Sequence, residues 1–324
     1  MKALKKQYRH QLSVIVPLLT RDLSHLSHII NFTTYLEKEK INFELILVIN
    51  GLKSLDLASI NKLENKFKIK NIKILKFKEN LIIGKARNIG ATKATGKFLL
   101  FMDADVEVPS ESISPLLQAI ELMEKKANYA ALLPQPLKLL GNKWSFLDNK
   151  EDRRSYLSRI TKKKIKILFG PFSLIKANCF FQVGKWEDRV ICAEDRDLAA
   201  KLLKAGYSIL YYPQLKVLHK NPSNLKRIIQ RKIFHAHANA IVYLKYPEIY
   251  NKKISDWIKM YISIFDRRYL IASTTYIFVL IFYTAVFYFL LFRLRLIRRI
   301  LILFPQSRKL IEFWIGKNYV EAIL

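Results

Sequence analysis

Apolar strand-like segments alternate with helical segments through the first hundred residues, and this alternation constrains the fold more than any other feature. Several segments carry apolar residues at helical spacing, namely 23–39, 57–67 and 85–94. Shorter segments are nearly all apolar and are predicted strands, namely 12–16, 43–49, 72–77 and 98–102. Such an alternation is typical of a mostly parallel sheet with helices on both faces. We therefore predict an α/β fold that binds ligands beyond the carboxyl ends of its strands.

The chain after residue 134 is less regular. Residues 135–168 hold scattered prolines and a basic run, and we interpret them as a variable excursion from the sheet. Regular structure is expected again at 176–183, with a helix at 194–205 and strands at 208–212 and 217–218. We place the end of this first domain, residues 1–222, after these strands.

The chain is strongly basic. It holds 56 lysines and arginines against 26 aspartates and glutamates, a formal net charge of +30. A charge of this sign favours anionic partners, whether nucleic acid, an acidic membrane surface or phosphorylated small molecules. No zinc-ligand spacing or RNA-recognition aromatic motif occurs, which disfavours nucleic acid. With only two cysteines, the sequence also excludes a disulfide framework.

A second apolar feature lies near the carboxyl terminus. Residues 269–292 contain no charged side chain, and about 20 apolar residues suffice to cross a bilayer core as a helix. We interpret this segment as a transmembrane or membrane-embedded helix, with a basic amphipathic helical region at 223–268 and a basic tail at 293–324. Arginines flank both ends, so the positive-inside rule sets no orientation. A re-entrant or in-plane helix and a buried core helix remain alternatives.

The flanking basic residues predict contact with anionic membrane lipids. At the other end, a basic start precedes the apolar residues 12–19, as in a signal peptide. The apolar run is short, Pro17 interrupts it, and no small-residue cleavage site follows. We therefore interpret it as a buried first strand and expect the first domain to be cytoplasmic.

Carboxylates follow the predicted elements at two points. Asp103 and Asp105 come directly after the strand at 98–102, and two carboxylates one residue apart can share a hard divalent cation. Glu194 and Asp195 lie at the start of a predicted helix. Acids at that position stabilise the helix dipole, and one of them can also serve as a general base. The two interpretations of this pair are compatible.

Two basic side chains accompany these acids. Arg87 lies in a glycine-flanked segment, where it and the first-turn amides of a helix can pair with a phosphate. A surface arginine on an amphipathic helix is the alternative. The segment is not a Walker loop, which needs Gly-Lys followed by Ser or Thr. His219 follows the last predicted strand, and a lone histidine is more often structural than a ligand.

Taken in order, these segments resemble the inverting family 2 glycosyltransferases of the GT-A fold. The resemblance runs from residue 12 to about residue 220. It rests on Ser-Val-Ile-Val-Pro at 13–17, Leu-Val-Ile-Asn-Gly at 47–51, Ala-Arg-Asn-Ile-Gly at 86–90, Asp-Ala-Asp at 103–105 and Glu-Asp-Arg-Asp-Leu at 194–198. Each motif is weak by itself, whereas their order and spacing are specific.

The resemblance implies an enzyme that transfers a sugar, with inversion, from a nucleotide-sugar donor to an acceptor hydroxyl, and the apolar segment 269–292 implies that this enzyme is membrane-anchored. It implies that Asp105 binds Mg²⁺ or Mn²⁺ and that Asp103 contacts the ribose or, through water, the metal. His219 matches a position that completes the metal shell in some relatives. Asp195, beside Glu194, matches the base that takes the acceptor proton. Further donor contacts are implied at Pro17, Asn50 and Arg87.

The acceptor is expected to be a lipid-linked or cell-envelope glycan, because the anchor places the site at the bilayer surface. Residues 135–168 can shape its binding site. The chain departs from the family pattern after its first and second strands, where it reads Pro-Leu-Leu-Thr-Arg at 17–21 and Ile-Asn at 49–50. Since those positions help to recognise the nucleoside base, the donor nucleotide is left open. A Gln-x-x-Arg-Trp signature is absent, so single transfer is expected rather than polymerisation.

Two alternatives remain. A non-catalytic membrane scaffold that retains the nucleotide-binding fold is favoured by the missing base-recognition residues and opposed by the retained acid pairs. A nucleotidyltransferase also uses paired carboxylates with a metal. It needs a basic phosphate-binding loop after the first strand, where this chain offers only Arg21.

Overall fold

The structure is a computed structural model that describes residues 8–19, 25–51, 71–139, 165–189, 192–220, 235, 238–239, 241–243 and 245–250. The chain divides into two compact units, Met1–Asn221 and Pro222–Leu324. The predicted helix at 57–67, the apolar segment at 269–292 and the tail at 293–324 lie outside the described residues. Among the helices that are described, none is both long and apolar enough to span a membrane.

The strands of the first unit are β1 His10–Leu19, β2 Phe43–Asn50, β3 Ile72–Lys76, β4 Gly96–Met102, β5 Val106–Glu107, β6 Tyr129–Leu139, β7 Phe172–Lys176 and β8 Ser208–Lys220. Its helices are α1 Leu26–Lys38, α2 Ile83–Lys93, α3 Ile113–Lys125, α4 Ala177–Gln182 and α5 Glu194–Lys204, with a 3₁₀ turn at Ser110–Ser112. The described part of the second unit holds a short helix, α6, at Pro247–Tyr250. The predicted strands β1 to β4 and helices α1, α2 and α5 are confirmed within a few residues.

The eight strands found among the described residues form one sheet in the order β3-β2-β1-β4-β7-β6-β8-β5. The strands β3, β2, β1 and β4 are parallel to one another, as predicted. The other half of the sheet is mixed, because β7 is antiparallel to β4 and β6, and β5 is antiparallel to β8. The prediction of a mostly parallel sheet is therefore corrected to a mixed sheet. The reason is that β7 begins beside the end of β4 and runs back along it.

Two strands differ from the sequence-based expectation. Residues 135–139 do not belong to an irregular excursion, since they continue β6 in parallel pairing with β8. The two short strands expected at 208–212 and 217–218 are one strand, β8, with an irregularity opposite Pro134 and Gln135. Prolines are rare inside sheets because they cannot donate to the ladder. Pro134 and Pro136 therefore made the pairing of β6 with β8 difficult to predict from the sequence.

The core lies on both faces of the sheet because successive side chains of a strand point to opposite faces. On one face, Val14 and Val16 pack with the buried residues Leu26, Ile29, Phe32 and Leu36 of α1 and with apolar residues of α3. On the other face, Ile15 packs with residues of α2, α4 and α5. Both faces of β1 are therefore dry, which explains why its sequence is almost continuously apolar.

A buried carboxylate ties the strands together at the edge opposite their carboxyl ends. Glu44, on β2, has a side chain only 1% exposed. It accepts hydrogen bonds from Ser13 on β1 at 2.6 Å, from the Thr95 hydroxyl at 2.8 Å and from Lys73 on β3 at 2.6 Å. Burial acts to raise the pKa of Glu44, but these hydrogen bonds outweigh it and leave the pKa lower than usual.

Candidate functional site

The candidate site lies at the carboxyl edge of β4 and begins with Asp103. The Asp103 amide donates to the Pro171 carbonyl oxygen at 2.8 Å, which fixes the residue against the start of β7. One oxygen of its carboxylate, Oδ1, accepts from Nη2 of Arg87 at 2.8 Å. The side chain is 27% exposed, so the carboxylate is held on one side and open to solvent on the other.

Arg87 is buried at the centre of the site rather than exposed on its helix. Its Nη1 donates to Oε1 of Glu194 at 2.7 Å, and Nη2 donates to the Gly170 carbonyl oxygen at 2.9 Å as well as to Asp103. Its guanidinium carbon lies 4.9 Å from the centre of the Trp186 ring. Burial acts to lower the pKa of Arg87, but Asp103 and Glu194 outweigh it and raise the pKa.

Close packing of α2 explains how Arg87 reaches this position. A Cβ on Gly90 would lie 2.4 Å from Cγ2 of Ile15, so a glycine is needed where the helix meets β1. A Cβ on Gly84 would lie 2.3 Å from the carbonyl oxygen of Glu187. The side-chain amide of Asn88 donates to the Trp186 carbonyl oxygen and accepts from the Trp186 backbone N–H. The start of α2 is therefore covered by the loop around Trp186.

Asp105 and His219 form a second pair beside Asp103. The antiparallel pairing of β5 with β8 brings them together, with Nε2 of His219 3.6 Å from Oδ1 of Asp105. The ring of Phe169 meets the His219 ring edge to face, with centroids 5.8 Å apart. Burial acts to raise the pKa of Asp105, but the hydrogen bond and charge of His219 outweigh it and lower the pKa. The charge of His25, just before α1, acts in the same direction.

The two acids at the start of α5 have different surroundings. Glu194 is buried, and its carboxylate is bonded to Arg87. Burial raises the pKa of Glu194, and the neighbouring Asp195 adds to this effect while Arg87 opposes it. Asp195 is partly exposed, and its Oδ1 accepts from the backbone amide of Arg196 at 2.8 Å. The helix begins after Ala193, whose φ of 66° is left-handed.

Gly170 lies against both acids. A Cβ on this residue would lie 3.5 Å from Cβ of Asp195 and 3.5 Å from Oε1 of Glu194, which is ordinary van der Waals contact. The short turn Phe169 to Pro171 contacts His219 through the ring of Phe169, Arg87 through the Gly170 carbonyl oxygen and the Asp103 amide through the Pro171 carbonyl oxygen. Sequence analysis did not assign this turn, although the Gly-Pro dipeptide is a recognised turn signal.

The two predicted donor contacts lie on β1, which pairs with β4, and on β2, which pairs with β1. Pro17 is buried within β1, opposite Val48. Nδ2 of Asn50 donates to the Leu18 carbonyl oxygen at 3.1 Å, and its Oδ1 accepts from the Leu81 amide at 3.3 Å. The Asn50 side chain is therefore used to hold the ends of neighbouring segments together.

The structure thus brings Arg87, Asp103, Glu194 and Asp195 into one group and pairs Asp105 with His219. Within the described part of the chain, no group of three or more His, Cys, Asp or Glu side chains is placed to hold a metal ion. Asp105 and His219 form a pair of candidate ligands, one oxygen and one nitrogen. The arrangement can hold a cation beside a carboxylate able to take a proton.

Comparisons with known proteins agree with this architecture. The model of the family "Glycosyl transferase family 2" matches residues 13–181, which is more than half of the chain. No curated protein matches the sequence.

Among solved structures, the mannosyltransferase PcManGT from Pyrobaculum calidifontis, in complex with GDP-Man and Mn²⁺, is 16% identical with a TM-score of 0.54. The match covers 99% of this chain and 88% of that one, and it shows a shared fold. S. aureus TarS is 16% identical over 73% of this chain and 42% of its own, with a TM-score of 0.47. GalNAc-T7 with UDP, GalNAc and Mn²⁺ is 16% identical over 79% and 54%, with a TM-score of 0.49.

Proposed function

The chain belongs to glycosyl transferase family 2, and from this premise we propose that it transfers a sugar from a nucleotide-sugar to an acceptor hydroxyl with inversion. The observation that carries the proposal is the link that Arg87 makes between Asp103 and Glu194. It joins the acids at the end of β4, on the donor side, to the acid pair at the start of α5, on the acceptor side. The nucleotide-sugar in the PcManGT complex supports this class of donor.

A divalent cation, Mg²⁺ or Mn²⁺, fits the donor set of Asp105 and His219. A carboxylate oxygen and an imidazole nitrogen are ordinary ligands of Mn²⁺, and both face the same space. When bound, such a cation would neutralise the charge that develops on the departing nucleoside diphosphate. Asp103, already hydrogen-bonded to Arg87, would contact the donor ribose or a water of the cation. The Mn²⁺ in PcManGT supports a metal requirement.

Asp195 is the proposed general base. Glu194 is bonded to Arg87, which leaves the partly exposed carboxylate of Asp195 as the member of the pair that can meet an acceptor. Asp195 would take the proton of the acceptor hydroxyl as its oxygen forms a bond to the anomeric carbon. The bond from that carbon to the nucleotide breaks on the opposite face, and the nucleoside diphosphate leaves with the bonding electrons.

The acceptor side of the proposal rests on the sequence. The apolar segment 269–292 and its basic flanks favour a membrane-anchored enzyme with its catalytic domain on the cytoplasmic side and a lipid-linked or cell-envelope glycan as acceptor. Anionic lipids would then be a second partner.

A scaffold that binds nucleotide without transferring sugar is the second candidate. It is favoured by Asn50, whose amide is engaged by backbone groups rather than open to a nucleoside base. Catalytic turnover with any nucleotide-sugar would exclude it.

The proposal is tested by titrating the detergent-purified protein with a panel of UDP-, GDP- and CDP-sugars, with and without Mn²⁺, and following thermal stability. One nucleotide class should stabilise the protein by a few kcal/mol near saturation, on the order of 3 kcal/mol at a hundredfold excess over Kd. The stabilisation should require Mn²⁺ and be lost in Asp105→Asn.

The matched control is Asp188→Asn, which removes an exposed carboxylate. It should respond like the wild type. If folded wild-type protein responds to no nucleotide-sugar, the proposal is wrong.

A further inference from the structure

The guanidinium group of Arg87 is buried among protein groups. Its side chain is 1% exposed, both terminal nitrogens donate to protein oxygens, and Trp186 covers the guanidinium group at 4.9 Å. Because the side chain is only 1% exposed, a donor phosphate could reach the guanidinium group only by displacing the residues that cover it. The expectation from the sequence, in which Arg87 pairs with the phosphate, therefore conflicts with its surroundings.

We propose that Arg87 is a positioning residue, which fixes the carboxylates of Asp103 and Glu194 relative to each other and so keeps Asp195 free to act as the base. This inference rests on the proposed function. The two carboxylates are brought to one guanidinium from positions 16 and 107 residues further along the chain. The arginine also donates to the Gly170 carbonyl oxygen, and a Cβ on Gly170 would lie 3.5 Å from Cβ of Asp195.

The shape of the guanidinium group makes this role specific. Its planar fork sets the directions of its donors, so two acceptors on different nitrogens are fixed in both distance and angle. A lysine ammonium is a point charge on a flexible stem and fixes neither. A lysine at this position would therefore still attract the two carboxylates but would not align them.

The arrangement also separates the two acids of the pair. Glu194 is committed to the arginine, and Asp195 has its Oδ1 oriented by the Arg196 amide. Because Glu194 and Asp195 are adjacent at the start of α5, holding the first carboxylate fixes the start of the helix and the direction of the second. Misplacement of a reacting group by about 1 Å can cost about 100-fold in rate.

The test compares Arg87→Gln and Arg87→Lys with Lys85→Gln, which removes an exposed positive charge from the same helix. For each protein, the Kd of the nucleoside diphosphate with Mn²⁺ is measured beside kcat and KM for transfer. A positioning role predicts that Kd and the donor KM stay within about threefold of wild type in Arg87→Gln while kcat falls about 100-fold. Arg87→Lys should recover little of the lost kcat, and Lys85→Gln should match the wild type.

Arg87→Gln leaves two carboxylates without their charge partner, which can make the protein unstable. In that case the double variant Arg87→Gln/Glu194→Gln is measured, because it removes one of the two unpaired charges. The comparator is the single variant Glu194→Gln: if the arginine acts through Glu194, the double variant should lose no more kcat than Glu194→Gln alone. A further loss of kcat in the double variant would show that the two residues act separately, and would overturn the proposal.

A loss of nucleoside diphosphate affinity of about tenfold or more in both Arg87 variants would also overturn it, because the arginine would then act on donor binding, directly or through Asp103, rather than on the base. Failure of the proposed function is a distinct result, since wild-type protein would then neither bind nucleotide nor transfer sugar. That result would remove the reaction on which the inference rests.

Discussion

Asp195 is the residue on which the proposed chemistry depends most directly. Replacing it by Asn keeps the size of the side chain and removes its capacity to take a proton. We expect kcat in Asp195→Asn to fall by about 100- to 10,000-fold, the range that general bases contribute, with unchanged affinity for the nucleoside diphosphate. Steady-state kinetics and a nucleotide titration check both statements. An unchanged kcat would take Asp195 out of the mechanism.

Gly170 offers a finer probe of the same carboxylate. Its φ lies outside the left-handed region, and an added methyl would stand 3.7 Å from Oδ2 of Asp195 without a clash. Gly170→Ala should therefore fold as stably as the wild type. The methyl fills space beside the base, so we expect KM for the acceptor to rise about tenfold while nucleotide affinity is unchanged. Equal effects on donor and acceptor would contradict this placement.

At this scale, sequence reasoning predicted some contacts and missed others for identifiable reasons. The family resemblance implied that Asp105 and His219 share a metal site, and the structure brings the two side chains within 3.6 Å. Sequence reasoning did not foresee the bond from Arg87 to Glu194, because local spacing does not reveal a partner 107 residues away. The engagement of Asn50 with backbone groups was also invisible, since it depends on the ends of two other segments.

Among the elements, the strands β1 to β3 and the start of β4 are joined by the buried carboxylate of Glu44. Glu44→Gln removes the charge that accepts from Lys73 and from the Ser13 and Thr95 hydroxyls. We expect the free energy of unfolding to fall by about 2–3 kcal/mol, the scale of a charged hydrogen bond in a buried site. Urea denaturation at pH 7 measures this difference, with activity per folded molecule unchanged.

The same comparison has a defined pH dependence. Because the pKa of Glu44 is lower in the folded state than in the unfolded state, its stabilisation is present above the unfolded value of about 4.3 and is lost as the pH falls through the folded value. The stability difference between wild type and Glu44→Gln should therefore shrink on acidification below about pH 4.3. A difference that grows in acid would contradict the assignment.

The elements that were predicted from the sequence are those whose apolar residues follow a regular strand or helix pattern. The four parallel strands and the helices between them follow from it, within the described residues. β6 was not recognised because Pro134 and Pro136 interrupt it, and β8 was divided in two at Pro213. Both strands are specified by their mutual pairing, which is a tertiary property and leaves little trace in the local sequence.

For the whole molecule, the proposed membrane segment at 269–292 carries the sharpest prediction. The full chain should stay with the membrane fraction in about 1 M salt, where electrostatic attachment is screened. Leu280→Arg places a charge near the middle of the segment at a cost of about 3 kcal/mol, and should release a measurable fraction. Leu280→Ile is the matched control and should stay bound. Complete extraction of the wild type by salt would contradict a membrane-embedded segment.

The bond from Arg87 to Glu194 also sets an order of events during synthesis. A ribosome adding about 5–20 residues per second needs roughly 5–20 s to proceed from one residue to the other, 107 positions later. Until α5 is made and docks, the arginine lacks one of its two carboxylates and stays hydrated, because burying a half-paired charge is costly. The nascent chain can therefore form β1 to β4 early, but Arg87 obtains its second carboxylate partner only after residue 194 has been synthesised.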